Sequence, residues 1–290
     1  MTPFWQTSRF EIDLSRPRVM GIVNATPDSF ADGGVYFSEG KPSTVLAHCD
    51  QLLKDGADML DIGGESTRPG SPPVSLEEEL ARVLPVLRHA VTLGVPVSVD
   101  TYKPEVMQSA LYLGADIVND IWALRRPGAQ QVVAGHPRCG VCLMHMHRDP
   151  QTMQLAPMTG RVLPAVRDFL HSAAQGLLDA GVARSRVVLD PGIGFGKTVA
   201  QNFELLREQA GLLDLDFPLL AGWSRKSALG AACSPTANGE PLPMNERVLP
   251  SVAAALLAAE RGARVLRVHD VRETVLALKV WSAASAVGSI

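Results

Sequence analysis

The residues able to do chemistry in this 290-residue chain are gathered in short polar stretches that follow apolar runs. The densest is Asp61-Ile-Gly-Gly-Glu-Ser-Thr-Arg-Pro-Gly70. Its paired glycines let backbone come close to a ligand, and Thr67 and Arg68 can bond an anionic or polar group. An ordinary βα loop with turn residues is the competing reading. Other such positions are Asn24, Asp100, Asn119 with Asp120, His145, Asp190, Ser224-Arg225-Lys226, and Arg267 with His269. Asp100, Asn119 and Asp190 supply acceptors and an amide, which suit a flat heterocycle carrying N–H donors. Arg267, His269 and Arg68 suit a phosphate or diphosphate, and Lys226 serves either. Asn24 offers a single oxygen, which beside a diphosphate suits Mg2+, an ion that keeps its waters and takes few protein groups. The ligand class is a ring with a phosphorylated tail.

What must position these residues is a series of short β-rich runs: Val19 to Val23, Met59 to Ile62, Val95 to Val99, Ala115 to Val118, Val141 to Met144, Val187 to Leu189, Pro218 to Ala221 and Val265 to Val268. Amphipathic stretches such as Leu76 to Val91, Val162 to Leu178 and Phe203 to Leu213 lie between them. A βα order repeated eight times predicts a parallel sheet with right-handed crossovers, closed as a (β/α)8 TIM barrel. A doubly wound open sheet is the runner-up. The polar residues then fall at the carboxyl ends of the strands, where a barrel of this kind carries its site. A single Asp or Asn there fits a helix N-cap, but seven or eight on one rim are costly to bury without a ligand or water. Alternation puts Arg267 and His269 on one face of the last strand and Arg264 on the other. Residues 1–18 are expected to form an N-terminal arm covering the barrel floor, the whole of 1–290 to be one domain, and Ala231 to Asn245 to be a surface loop.

Composition narrows the function classes. A hydrophobic content of 46% with only 5% aromatic residues describes a soluble α/β protein, and a formal charge of −3 gives no pull toward nucleic acid or membrane. Four cysteines are too few for a disulfide framework, the first residues lack the apolar core of a signal peptide, and the run Val248 to Ala259 is too short to span a bilayer. A cytoplasmic location follows as the expectation.

Four motifs are given their plain structural reading. Cys139, Cys142 and His145 have zinc-like spacing, but in a strand Cys142 faces away from the other two. Gly192 to Thr198 lacks the first glycine of a phosphate loop, because position 191 is Pro. Asn24-Ala-Thr26 matches a glycosylation acceptor and is silent in a chain with no secretory signal. Glu77, Glu78 and Glu79 after Ser75 are read as favourable charges at a helix N-terminus.

With these residues in hand the chain resembles the dihydropteroate synthase family, the sulfonamide target of folate biosynthesis. The resemblance rests on Met20-Gly-Ile-Val-Asn-Ala-Thr-Pro-Asp-Ser-Phe30 with Ala-Asp32-Gly-Gly, on Asp61 to Gly70, and on Ser98-Val-Asp100, Asn119-Asp120, Leu143-Met-His145, Asp190-Pro-Gly-Ile-Gly-Phe195, Ser224-Arg-Lys226 and Arg267-Val-His269. It implies condensation of 6-hydroxymethyl-7,8-dihydropterin diphosphate with 4-aminobenzoate, by an SN1-like route, to 7,8-dihydropteroate and diphosphate. It assigns Asp100, Asn119, Asp190 and Lys226 to the pterin, with Met144 and Phe195 as apolar wall. Asn24 beside Mg2+, with Arg267 and His269, is assigned to the diphosphate. Thr67, Arg68, Pro69 and Ser224, helped by Phe30 and Asp32, are assigned to the aminobenzoate. Asp100, Asp190, Lys226 and Arg267 are the implied catalytic set, sulfonamides the implied inhibitors, and a homodimer through the seventh and eighth units the implied assembly. A pterin-dependent methyltransferase and a catalytically silent pterin-binding homologue are the alternatives. Thr67-Arg68-Pro69 with Ser224-Arg225-Lys226 argues against the first, and the retention of every loop and diphosphate residue against the second.

Overall fold

A computed structural model describes residues 4–26, 42–66, 71–149, 152–153, 155–234 and 239–285. Strands β1 (Phe4–Gln6) and β2 (Glu11–Asp13) pair antiparallel as a hairpin. Then follow β3 (Arg18–Asn24), α1 (Pro42–Lys54), β4 (Met59–Gly63), α2 (Leu76–Ala90), β5 (Val97–Asp100), α3 (Pro104–Tyr112), β6 (Ile117–Asp120) and α4 (Ala129–Gly135). The second half runs β7 (Gly140–Met144), α5 (Leu163–Asp179), β8 (Val187–Asp190), α6 (Val199–Glu208), β9 (Leu219–Ala221), α7 (Ser227–Ala232), α8 (Val248–Glu260), β10 (Ala263–Val268) and α9 (Val271–Ser285). Strands β3 to β10 close in the order β10-β3-β4-β5-β6-β7-β8-β9, each pair parallel, so the chain is a (β/α)8 barrel and not an open sheet.

The expected strand positions hold to within two residues, because helices cover one face of these strands and the barrel interior the other, leaving continuous apolar runs. Met20, Met59, Ile117, Cys142, Val188, Leu220 and Val265 fill the interior, and Trp5, Ile12 and Leu14 of the hairpin pack onto them. The Trp5 indole N–H donates to the carbonyl of Arg186 at 2.9 Å, which ties the hairpin to the start of β8. The opposite strand faces join the helices in the larger outer core.

Helix starts follow local chemistry. Ser75 caps α2 by accepting the Glu78 N–H at 3.1 Å. Thr198 and Gln201 form a capping box that starts α6 at Val199, four residues ahead of the apolar stretch that marks it in the sequence, and the chain after Glu208 continues as a 3₁₀ turn. Two segments carry contacts beyond those expected. Glu79, in the first turn of α2 as expected, is buried, bonded by Lys103 Nζ and, at 2.6 Å, by Thr101 Oγ1. The Ala231 to Asn245 segment begins inside α7, its described residues are half-buried or exposed, and the Leu242 N–H donates to the Gly230 carbonyl at 2.9 Å.

Candidate active site

Five of the barrel strands lead into residues that share one rim. Asn24 ends β3, Asp100 ends β5, and Arg267 and His269 stand at the end of β10; Phe195 follows β8, and Ser224 and Lys226 follow β9. These seven line one cavity of about 240 Å³, together with Thr26, Glu65, Ser66, Met153, Met244 and Arg247. Asn119, Met144 and Asp190 are buried beside it without lining it. Phe30, Asp32, Thr67, Arg68 and Pro69 lie outside the described residues.

The floor of the cavity is an ion-pair cluster. Arg267 donates from Nε to Asp61 Oδ2 and from Nη2 to Asp100 Oδ2, both at 2.6 Å, and Asn119 Nδ2 donates to the same Asp61 oxygen at 3.1 Å. Burial pushes the Asp100 carboxyl up to about 7; Arg267 opposes this, while the charge of Asp61 adds to it. Asp190 is also raised by burial, opposed by the Gly192 N–H, which donates to its Oδ1 at 2.7 Å, and by Lys226 and Lys197. Burial disfavours the charge of Arg267, but Asp61 and Asp100 outweigh it and raise its pKa.

The wall is set by the loop Gly192 to Gly196. Gly192 has φ +69°, and a Cβ there would stand 1.8 Å from the His145 carbonyl oxygen, so no other residue fits. The loop presents Phe195, whose ring lies 4.3 Å from Lys226 Nζ, an apolar face with a cation above it. On the far side Ser224 Oγ and His269 Nδ1 share a hydrogen bond of 2.9 Å, and the His269 N–H donates to the same Oγ at 3.1 Å.

Several sequence-marked polar residues serve the scaffold. Asp120 accepts the N–H groups of Trp122 and Leu124 at 2.7 and 2.8 Å, holding a turn in which Ala123 and Leu124 both have positive φ. His145 bonds Lys197 Nζ, which also donates to the carbonyls of Gly192 and Phe195, so Lys197 is a loop brace and not a phosphate binder. Cys139 packs in the outer core and Cys142 in the barrel interior. Among the described residues no three His, Cys, Asp or Glu side chains form a metal cluster. Arg225, inside the Ser-Arg-Lys motif, has φ +58° and pairs with Asp270 at 2.7 Å. Met244, at the far end of the Ala231 to Asn245 segment, and Arg247, two residues beyond it, reach the cavity. Only contacts between residues distant in sequence reveal these last roles.

A profile of the family described as pterin binding enzyme matches residues 20–269. The dihydropteroate synthase of Neisseria meningitidis serogroup B is 50% identical over 283 residues, 96% of each chain. The chain belongs to the dihydropteroate synthase family. Two solved dihydropteroate synthases are similar throughout. That of Burkholderia cenocepacia complexed with 7,8-dihydropteroate is 50% identical with a TM-score of 0.85, covering 98% of this chain and 96% of that one. That of Yersinia pestis with a sulfonamide drug complex is 41% identical with a TM-score of 0.90, covering 98% and 100%. Dihydropteroate synthases are transferases, and the rim cluster described above falls within the matched residues.

Proposed function

We propose that this cavity joins 6-hydroxymethyl-7,8-dihydropterin diphosphate to 4-aminobenzoate, giving 7,8-dihydropteroate and diphosphate in folate biosynthesis. The observation that carries this reading is the convergence of Asn24, Asp100, Phe195, Ser224, Lys226, Arg267 and His269 on one cavity. Asp100, Asn119 and Asp190 accept the heterocycle's N–H groups, and Phe195 and Met144 form its apolar wall, with Lys226 above Phe195. Arg267 and His269 bind the diphosphate.

The carbon–oxygen bond to the leaving diphosphate breaks first, in an SN1-like step, and the amine of 4-aminobenzoate attacks the resulting pterin cation and releases one N–H proton to solvent. Arg267 and His269 meet the charge growing on the leaving group, while the buried carboxylates of Asp100 and Asp190 face the delocalised cation. Thr67, Arg68, Pro69, Phe30 and Asp32 are the proposed partners of the aminobenzoate, with Ser224. The donor set suits Mg2+: Asn24 lines the cavity, and among the described residues no three His, Cys, Asp or Glu side chains form a competing cage, which fits an ion that binds mainly through waters and phosphate oxygens. Bound there, Mg2+ would neutralise diphosphate charge.

Formation of 7,8-dihydropteroate from the two substrates with Mg2+ is the direct test, and no product would refute the reading. Sulfonamides should compete with 4-aminobenzoate in steady-state kinetics, and non-competitive inhibition would count against the assignment of the second substrate. A homodimer is supported by Leu249, Leu276 and Val280, exposed on α8 and α9, and light scattering tests it. A cytoplasmic location is part of the same proposal; among the described residues no helix is long and apolar enough to cross a membrane.

A further inference from the structure

Asp61 differs from the other polar groups of the site in having no surface at all: it is fully buried on β4, beneath the cavity lining. A buried carboxylate is costly unless it is compensated. Here the compensation comes through one atom, since Oδ2 accepts from Arg267 Nε at 2.6 Å and from Asn119 Nδ2 at 3.1 Å. These donors stand on β10 and β6, each two strands from β4 and on opposite sides of it. They also belong to the two halves of the proposed site, Arg267 to the diphosphate and Asn119 to the heterocycle. The other oxygen, Oδ1, is buried and has no partner among the described residues, and neither has Oγ of Ser98, the register neighbour of Asp61 on β5. The fixed bonding of Asp61 therefore runs through Oδ2 alone, so a shift of either donor is felt by the other. Asp100 also holds Arg267, through Nη2 at 2.6 Å, but Asp100 lines the cavity and is open to the ligand.

We propose that Asp61 is a positioning residue that couples the two halves of the site, so that a heterocycle seated on Asn119 and Asp100 orients Arg267 for the diphosphate through Asp61 Oδ2. The inference rests on the substrate reading given above. Coupling between two sites is reciprocal, and factors of roughly 5 to 150 are usual.

The test is calorimetry with 6-hydroxymethylpterin and with inorganic diphosphate in Mg2+ buffer, each titrated alone and with the other saturating. In the wild-type protein each ligand should tighten the other by about tenfold, by the same factor in both orders. Asp61→Asn keeps the shape and removes the charge, and should bring that factor to within about twofold of one. Asn119→Ala cuts the other arm and also removes a heterocycle contact, so its coupling factor is read with 6-hydroxymethylpterin raised to saturate the variant, and it too should fall to within about twofold of one. This second variant decides the matter if Asp61→Asn does not fold. Coupling that persists in either folded variant, or is absent from the wild type, would overturn the proposal. If neither ligand binds the wild-type protein, the substrate reading falls and this inference falls with it.

Discussion

Lys197 and His145 meet nitrogen to nitrogen at 3.0 Å in the buried space behind the Gly192 to Gly196 loop. Burial, with the charges of Lys197 and Arg125, drives the His145 imidazole down to about 2, so it is neutral, and toward a protonated Lys197 its Nδ1 can only accept. The same ammonium donates to the carbonyls of Gly192 at 2.7 Å and Phe195 at 3.2 Å. One side chain thus closes the loop that presents Phe195, and in its protonated form its three donors are all used.

Lys197→Met should therefore flatten part of the pH dependence of stability. Burial lowers Lys197 from 10.5 to about 7; Asp190 opposes this and Lys226 adds to it. Between these values the unfolded chain holds a proton that the folded chain lacks, so the Lys197 contribution to stability rises with pH through that window, by up to about 1.4 kcal/mol per unit. Chemical denaturation of both proteins from pH 6 to 10 measures it. Parallel curves for the two would show that Lys197 is not held in this state.

The barrel and much of the rim were legible in the sequence because both depend on local pattern. Short apolar runs give strands, and a polar residue at the end of such a run, as at Asn24, Asp100 or Asp190, falls on the rim whatever its partners are. The partners were not legible. Asp61 binds Arg267, which is 206 residues away, and nothing near Asp61 in the sequence distinguishes that role from the orientation of its own loop. The Glu79 charge reads locally as a helix-dipole residue and becomes a buried partner of Lys103 only once β4, α2 and β5 are packed. Arg267 and His269 stand in the sequence as groups for an anion, and their protein partners, Asp61 and Asp100 for Arg267 and Ser224 for His269, come from other strands and loops.

Arg267→Ala should weaken the pterin diphosphate by about 30-fold or more, a loss of roughly 2–5 kcal/mol, and free pterin far less. It should also destabilise the fold by about 3–5 kcal/mol, because Asp61 and Asp100 lose their counter-ion. Calorimetry of both ligands and a thermal melt check the two effects. Equal losses for the two ligands would remove Arg267 from the diphosphate site.

Affinity for 6-hydroxymethylpterin, which carries no phosphate to titrate, should rise with pH through about 7. Asp100 reaches the ionised state that accepts N–H donors only as pH passes that value, because burial holds its carboxyl up to about 7. Below it the affinity should fall by up to about tenfold per pH unit, and Asp100→Asn should bind weakly at every pH. A flat wild-type profile between pH 5.5 and 8.5 would contradict this.

The turn that carries Ser224 and Lys226 should depend on the left-handed backbone at Arg225, where φ is +58°. Both its backbone and its side chain are engaged: its N–H donates to Ser251 Oγ at 2.8 Å, its carbonyl accepts from Arg247 Nη1 at 3.2 Å, and its guanidinium bonds Asp270 at 2.7 and 3.2 Å. Asp270 follows His269 directly, so the ion pair ties the β9 loop to the end of β10, where Ser224 and His269 meet. A non-glycine residue in this conformation costs about 1 kcal/mol or more, offset here by those bonds. Arg225→Gly removes the ion pair but suits the backbone, whereas Arg225→Ala removes the ion pair and keeps the strain. The glycine variant should therefore be the more stable of the two by about 1 kcal/mol, with the smaller loss in kcat/KM. Denaturation midpoints and steady-state kinetics of both proteins measure the difference, and an alanine variant as stable as the glycine one would mean that the strained turn does not set the positions of Ser224 and Lys226.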